Sequence, residues 1–214
     1  MRRAAATAAL AAAIAVLAGA GPKLAGVSHA ASFNCAQAAT RTDRAICADP
    51  ALSALDSSMA AAYGRSLARG AGVRQEQRAW LVARNQGCGG DRSCLRRFIS
   101  ARLAALQAGP MPTALPVREG ACARTVLKAV ETRLEDTPGS GSVAEEANTG
   151  YQVSYDVVTA IEQSRPGDPL IQCLVSIPRN CPEDDARGKV YAVANLRTLK
   201  GWSLPDSEHS CGGA

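Results

Sequence analysis

The sequence predicts an α+β fold in which a disulfide-stapled helical bundle precedes a small antiparallel β domain. Apolar residues recur at helical spacing up to about residue 107, and the pattern changes to alternation beyond residue 120. An even number of cysteines behind an export-type leader predicts a disulfide framework, which supplements a core that has few aromatic residues. The eight predicted disulfide cysteines are Cys35, Cys47, Cys88, Cys94, Cys122, Cys173, Cys181 and Cys211.

The N-terminal segment has the pattern of a secretory signal peptide. Arg2 and Arg3 precede an uncharged, alanine-rich run, and residues 28–30 read Ser-His-Ala, a small-x-small cleavage pattern. We predict a signal peptide over residues 1–30 and a mature chain that is periplasmic or secreted, with no membrane span after cleavage. A membrane anchor is the alternative, but the run is at the short limit for a bilayer. The first cysteine, Cys35, comes too late to form a lipobox.

Residues 31–108 carry the helical pattern. Asp49 and Pro50 predict a helix start, and the apolar stripe that follows ends at Gly70. A second helix is predicted over about 73–85, and a third opens at Asp91. A short helical turn between Cys35 and Cys47 precedes these three. The third helix has the clearest stripe, formed by Leu95, Phe98, Ile99, Leu103 and Leu106.

The proline-rich segment 109–120 has no periodicity and is predicted to be a linker to a β-rich domain over 121–214. Strands are predicted over 125–134, 151–155, 170–177, 189–194 and 202–204, separated by turn clusters.

The spacing of the cysteines favours local bridges in the first half. We expect Cys35 to pair with Cys47 and Cys88 with Cys94, because a turn-sized segment separates each pair. The four cysteines of the second half allow three pairings, which the sequence leaves open. Five residues, rather than two, separate Cys88 from Cys94, and histidine is scarce, so we predict no metal and no cofactor.

Charge is divided unevenly along the predicted mature chain. Residues 31–110 hold eleven arginines, no lysine and five acidic residues, a net charge of +6, whereas residues 111–214 hold ten basic and fourteen acidic residues, a net charge of −4. The basic half is explained either by a solvated arginine-rich surface or by an anionic envelope polymer as partner. We expect no nucleic-acid partner.

The residue types that catalysis requires do not form a recognisable constellation, so we predict that the protein is not an enzyme. His209 is the only histidine after the signal, and it lies close to the chain end. Residues 183–185, Glu-Asp-Asp, fit a solvated loop better than a cation site. Glu145 and Glu146 are interpreted as a charge pair on an edge strand.

One polar motif stands out in the helical half. Gln77, Trp80 and Arg84 are spaced three and four residues apart, so they share one helix face with Cys88. Arg84 can stack on Trp80 and reach Asp43 or Asp56. The motif is either a packing device that anchors the bundle or a contact surface for a partner.

The segments that carry these residues resemble the N-terminal domain of the LprI-type lysozyme-inhibitor family. The likeness runs over about residues 33–106 and keeps four cysteines in order; it rests on Phe33–Cys35, Arg44–Pro50, Leu52–Asp56, Tyr63, Gln77–Leu81, Arg84–Asn85, Cys88 and Cys94–Leu95. The resemblance implies a secreted or lipid-anchored helical module, with inhibition of c-type lysozyme attributed to some members. The chain departs from the LprI type because it lacks a lipidation cysteine.

The second half looks like a companion domain that follows this module in secreted proteins. The segments 150–156, 173–178, 195–198 and 202–209 carry that likeness, and no activity is implied by it. The expected function is therefore non-catalytic binding of a host or envelope lysozyme. The alternative is an envelope interaction or stress module that binds an anionic polymer or a protein partner through the arginine-rich helical face.

Overall fold

The computed structural model describes residues 30–213 of the chain. The predicted signal segment 1–30 therefore lies, except for Ala30, outside the described residues. Within residues 30–213, no helix is long and apolar enough to cross a bilayer.

Helices occupy the first half, as the stripes predict. A 3-10 turn over Cys35–Gln37 precedes α1 (Arg41–Cys47), α2 (Pro50–Ser66), a second 3-10 turn (Leu67–Arg69), α3 (Ala71–Cys88) and α4 (Arg92–Ala108). The predicted caps form: the Asp49 carboxylate accepts from the backbone N–H groups of Ala51 and Leu52, and Asp91 accepts from Ser93 and Cys94. Gly70 has φ +115°, a conformation that ends the α2 segment at little steric cost.

A six-stranded antiparallel sheet forms the second half. Its strands are β1 (Cys122–Thr132), β2 (Ser142–Glu146), β3 (Tyr151–Ser154), β4 (Pro169–Ser176), β5 (Val190–Asn195) and β6 (Gly201–Pro205), and a short helix, α5 (Thr159–Glu162), lies between β3 and β4. The strand order is β3-β2-β1-β4-β5-β6. The mixed α+β class predicted from the sequence is confirmed.

The sheet curls so that its two outer strands meet. Gln152 on β3 donates through Nε2 to the carbonyl oxygen of Leu204 on β6 at 3.2 Å and to that of Tyr191 at 2.8 Å. Its Oε1 accepts from Trp202 Nε1 at 2.9 Å. One fully buried amide thus closes the curl with hydrogen bonds that water does not compete for.

Four disulfides staple the two halves internally. Cys35 pairs with Cys47 and Cys88 with Cys94, the two local bridges expected from the spacing. Cys122 pairs with Cys173 and Cys181 with Cys211. The choice that the sequence left open follows from strand register, because Cys122 on β1 lies directly opposite Cys173 on β4.

Helix α3 packs directly on one face of the sheet, so the hydrophobic core is continuous across the two halves. The main cluster joins helical residues such as Trp80 and Phe98 to Ile171, Val175 and Ala192 of the sheet. The approach is close, because a Cβ at Gly87 would lie 2.7 Å from Val175 Cγ2. Glu76 of α3 also pairs with Arg124 of β1 at 3.1 Å.

The predicted linker, residues 109–120, contains neither helix nor strand but is bonded to the sheet. Arg124 N donates to Pro112 O at 2.7 Å and Gly120 N to Leu174 O at 2.8 Å. Tyr191 Oη donates to Pro116 O at 3.3 Å. The division into 31–108, 109–120 and 121–214 stays a prediction, and this bonded segment and the shared core are the features that a test of independent folding must address.

The interpretation of Glu145 and Glu146 as an edge-strand pair is wrong. They lie on β2, which is flanked by β1 and β3, and they point to opposite faces. Glu145 faces outward and pairs with Lys128 at 2.8 Å, whereas Glu146 is 2% exposed.

Candidate functional site

The face of α3 that carries Gln77, Trp80 and Arg84 is turned into the helical core. All three side chains are buried, and Trp80 has no exposed surface. The Cys88–Cys94 bridge ties the end of this helix to the start of α4. The helical spacing that marked the motif in the sequence therefore marks a buried stripe.

Arg84 lies at the centre of this stripe. Its guanidinium sits 5.5 Å from the Trp80 ring centroid, and its Nε and Nη2 donate to Asn85 Oδ1 at 3.2 and 3.1 Å. Two carboxylates face it at longer range, Asp43 at 3.8 Å and Asp56 at 3.9 Å. Burial lowers the pKa of Arg84, while Asp56 and Asp43 raise it.

Asp56 joins this centre to the start of the described chain. Its Oδ2 accepts from the backbone N–H of Ser32 at 2.9 Å and from the Ser32 hydroxyl at 2.5 Å. Ser57 Oγ also donates to the carbonyl oxygen of Ala30. The carboxylate therefore holds the segment that enters the bundle, which is the anchoring role that a buried aspartate with both polar partners can perform.

A cavity of about 390 Å³ opens beside this centre. Its walls combine the apolar surfaces of Phe33, Met59 and Leu81 with Asp56 and Arg84. Chemically, a guanidinium held between two carboxylates can position chains and bind polar groups. Asp56 and Arg84 are themselves buried, so little of either side chain is accessible to a partner.

Arg102 is a polar core residue that the sequence reasoning missed. Its Nε donates to Gln77 Oε1 at 2.9 Å, and burial lowers its pKa to about 10. The sequence did contain a sign of this burial, because Arg102 lies at helical spacing between Ile99 and Leu106 on the apolar stripe of α4. The hydrogen bond from Arg102 makes Gln77 a link between α3 and α4, which explains structurally why a polar residue stands on the buried face of α3.

The predicted motif is brought together, and its burial favours the packing interpretation over the contact surface. A direct contact role for Gln77, Trp80 and Arg84 stays a prediction.

His209 lies exposed near the chain end. Asp185 of the acidic loop accepts from Arg187 and from Gly212 N, which lowers the pKa of Asp185. Within residues 30–213, no cluster of three histidine, cysteine or acidic residues is arranged to hold a metal ion.

An acidic notch lies at the tip of the β1–β2 hairpin. We define it by Glu131, Glu135, Asp136 and Tyr151, which line a surface cavity of about 490 Å³ together with Arg133 and neighbouring backbone. Partial burial raises the pKa of Tyr151, and nearby glutamates including Glu131 raise it further. The notch therefore presents negative potential around an aromatic side chain, a combination suited to a basic partner.

Together these features describe a disulfide-stapled α+β protein that has buried polar residues within its helical core and an acidic cavity on its sheet half. Residues 34–134 match the family model described as Lysozyme inhibitor LprI. The resemblance predicted for the helical half is confirmed, and the match continues through the 109–120 segment and β1. Searches of the curated proteins and of the solved structures gave no match.

The family match and the disulfides indicate a location outside the cytoplasm. Disulfides form and persist in oxidising compartments, and the described structure has four. The matching family is one of inhibitors rather than catalysts, which is consistent with a protein that is not an enzyme.

Proposed function

We propose that this protein binds a c-type lysozyme, from a host or from the cell envelope, and inhibits it without catalysis. The observation that supports this function is the LprI family match over residues 34–134. We also propose that it acts in the periplasm or as a secreted protein, after a signal peptide is removed behind Ala30.

The division of charge makes the sheet half the side that attracts lysozyme. C-type lysozymes are strongly basic, so negative potential accelerates their capture. Residues 31–110 carry a net charge of +6 and repel such a partner, whereas residues 111–214 carry −4. The acidic notch combines three acidic side chains with an aromatic one, Tyr151, around one cavity. The other acidic cavity of the sheet half, lined by residues 183–185 and Asp206, has no aromatic side chain in its lining.

A binding titration at low and physiological salt tests the proposal. We expect a one-to-one complex with c-type lysozyme whose affinity falls with salt, because screening weakens charge steering. The triple variant Glu131→Gln/Glu135→Gln/Asp136→Asn should slow association about tenfold or more at low salt. Asparagine is chosen at position 136 because Asp136 has φ +53°, which asparagine tolerates.

The matched control removes three exposed charges outside the notch: Glu162, and Glu183 and Asp184 of the other acidic cavity. Neutralising them should change the association rate by less than the notch variant does. Equal effects would show that total charge, rather than the notch, steers the partner. No binding by the unaltered protein at micromolar concentration in low salt would refute the lysozyme proposal.

The second candidate function is binding of an anionic envelope polymer through the helical face. It is favoured by a group of exposed arginines, Arg41, Arg44, Arg65, Arg69, Arg74, Arg78, Arg92 and Arg96. In the same assay with dextran sulfate as probe, Arg74→Gln/Arg78→Gln should weaken polymer binding and leave lysozyme binding intact. The notch variant should behave in the opposite way.

A further inference from the structure

The bond behind Ala30, at which we propose that the signal is removed, lies where the folded core begins. Ala30 is exposed, whereas Ala31 is only 9% exposed and belongs to the main apolar cluster. Helix α2 holds the chain on both sides of this bond. Ser57 Oγ donates to the Ala30 carbonyl oxygen at 2.5 Å. The backbone N–H of Ser32 donates to Asp56 Oδ2 at 2.9 Å.

These two contacts limit where the backbone nitrogen of Ala31 can lie. The oxygen and the nitrogen of one peptide bond are about 2.3 Å apart, so this nitrogen is within about 5 Å of Ser57 Oγ. Consecutive backbone nitrogens are at most about 3.7 Å apart, so it is also within about 7 Å of Asp56 Oδ2. Both distances are below the Debye length of about 8 Å at physiological ionic strength, so a charge on this nitrogen would interact with the carboxylate.

The polar centre around Arg84 has one carboxylate more than it has cations. Asp43 and Asp56 face the guanidinium at 3.8 and 3.9 Å, and within the described residues neither forms another ion pair. The hydrogen bonds of Arg84 go to Asn85 instead. Arg84 approaches Asp56 on Oδ1, which leaves Oδ2 to the N-terminal segment. Because buried charges are stabilised by pairing, a cation on the Oδ2 side would balance this centre.

Signal removal would supply such a cation. Hydrolysis adds one water molecule across the bond, so the carbonyl carbon of Ala30 takes the oxygen and leaves with the signal as a carboxylate. The nitrogen of Ala31 takes both protons of the water and becomes an ammonium group at neutral pH. The Ser57 hydroxyl then loses the Ala30 carbonyl as acceptor, and its oxygen can accept an N–H of the new ammonium group.

We propose that α2 forms a binding site for the N-terminus of the mature chain, in which Asp56 Oδ2 pairs with the α-ammonium group of Ala31 and Ser57 Oγ accepts one of its N–H groups. The ion pair balances the charge of the polar centre, so the mature chain is more stable than the uncut one. This site forms only if the signal is removed behind Ala30, as proposed above, and it does not require lysozyme binding.

Acetylation of the mature N-terminus tests the proposal, because an acetyl group on Ala31 reproduces the Ala30 carbonyl but carries no charge. Two forms of residues 31–214 are compared by thermal denaturation at about pH 6, where an α-amine is charged. One form has a free α-amine, and in the other the α-amine is acetylated. We expect the free form to melt about 2–4 °C higher.

The difference in melting temperature should depend on pH. Asp56 and Asp43 favour the ammonium form and Arg84 opposes it, so two carboxylates against one cation should raise the pKa of the α-amine. The added stability is therefore fully present below the unfolded pKa, about 8, and is lost as pH rises through the folded pKa. Glu146 titrates alike in both forms, so its contribution cancels in the comparison.

Three substitutions assign the difference to this site. Asp56→Asn keeps the shape and removes the charge, so the free and acetylated forms should melt within about 1 °C of each other. Ser57→Ala should reduce the difference, because a hydrogen bond from a charged donor is stronger than one to a neutral carbonyl. Ser58→Ala is the matched control and should leave the difference unchanged, since the Ser58 hydroxyl is exposed and donates to Ala54 O. If Asp56→Asn fails to fold, the two serine variants and the pH series decide.

N-terminal sequencing of the exported protein separates this proposal from the signal removal on which it depends. A mature chain that starts elsewhere than Ala31 would overturn both. A chain that starts at Ala31, but whose free and acetylated forms melt at the same temperature, would overturn the N-terminal site alone and leave signal removal behind Ala30 standing.

Discussion

Replacing Trp80 by alanine is expected to lower the free energy of unfolding by about 3–5 kcal/mol. Trp80 has no exposed surface and belongs to the cluster that joins the helices to the sheet. The substitution leaves a cavity at this junction and removes the ring on which Arg84 stacks. Chemical denaturation followed by circular dichroism measures the loss.

Trp80→Phe is the matched control. Within the described residues, the indole Nε1 has no hydrogen-bond partner, so phenylalanine gives up volume but no hydrogen bond. We expect Trp80→Phe to cost less than half of what alanine costs. If both variants kept the stability of the unaltered protein while losing partner binding, the contact-surface interpretation of this face would replace the packing interpretation.

Stability is expected to fall by about 3–5 kcal/mol as pH rises from about 5 to about 9, because of Glu146 alone. The folded protein raises the pKa of this carboxyl from 4.5 to about 8. Between these values the folded state keeps a proton that the unfolded chain has released. The contribution is therefore full below the unfolded pKa and is lost as pH rises through the folded pKa.

Other carboxylates act outside this window. Hydrogen bonds from Arg197 lower the pKa of Asp168, so the stability that Asp168 contributes is present above its unfolded pKa, near 3.8, and is lost only at lower pH. The free energy of unfolding, measured by urea at several pH values, should thus decline across the Glu146 window.

Glu146→Gln and Glu145→Gln separate the cause of the pH dependence. Glu146→Gln removes the titrating group, so its stability should vary little over this range and should exceed that of the unaltered protein near pH 9. Glu145→Gln should retain the decline, since Glu145 contributes only a lesser part of the pKa shift. A flat profile for the unaltered protein would mean that Glu146 is ionised in the folded state.

The helical half could be predicted from the sequence because its signals are local. Asp49 and Asp91 cap α2 and α4 at the helix starts that the sequence predicts. The apolar residues of α4 form one stripe that can be recognised without knowledge of the tertiary structure. The two local disulfides followed for the same reason, because each closes a short loop.

The sheet half depends on contacts that the sequence does not display. β2 reads Ser-Val-Ala-Glu-Glu and is largely buried, so it lacks the alternation that predicts a strand. The burial of Glu146 depends on its place between β1 and β3, and the Cys122–Cys173 bridge depends on register. The core shared by α3 and the sheet likewise arises from tertiary packing between segments far apart in sequence.

The most direct test of the proposed function is the lysis of bacterial cell walls by c-type lysozyme in the presence of increasing amounts of this protein. With lysozyme well above the dissociation constant, the rate should fall linearly and reach its minimum near one equivalent. The notch variant Glu131→Gln/Glu135→Gln/Asp136→Asn should need longer preincubation to reach the same inhibition. An undiminished lysis rate at about tenfold molar excess of the protein, in low salt, would contradict the account.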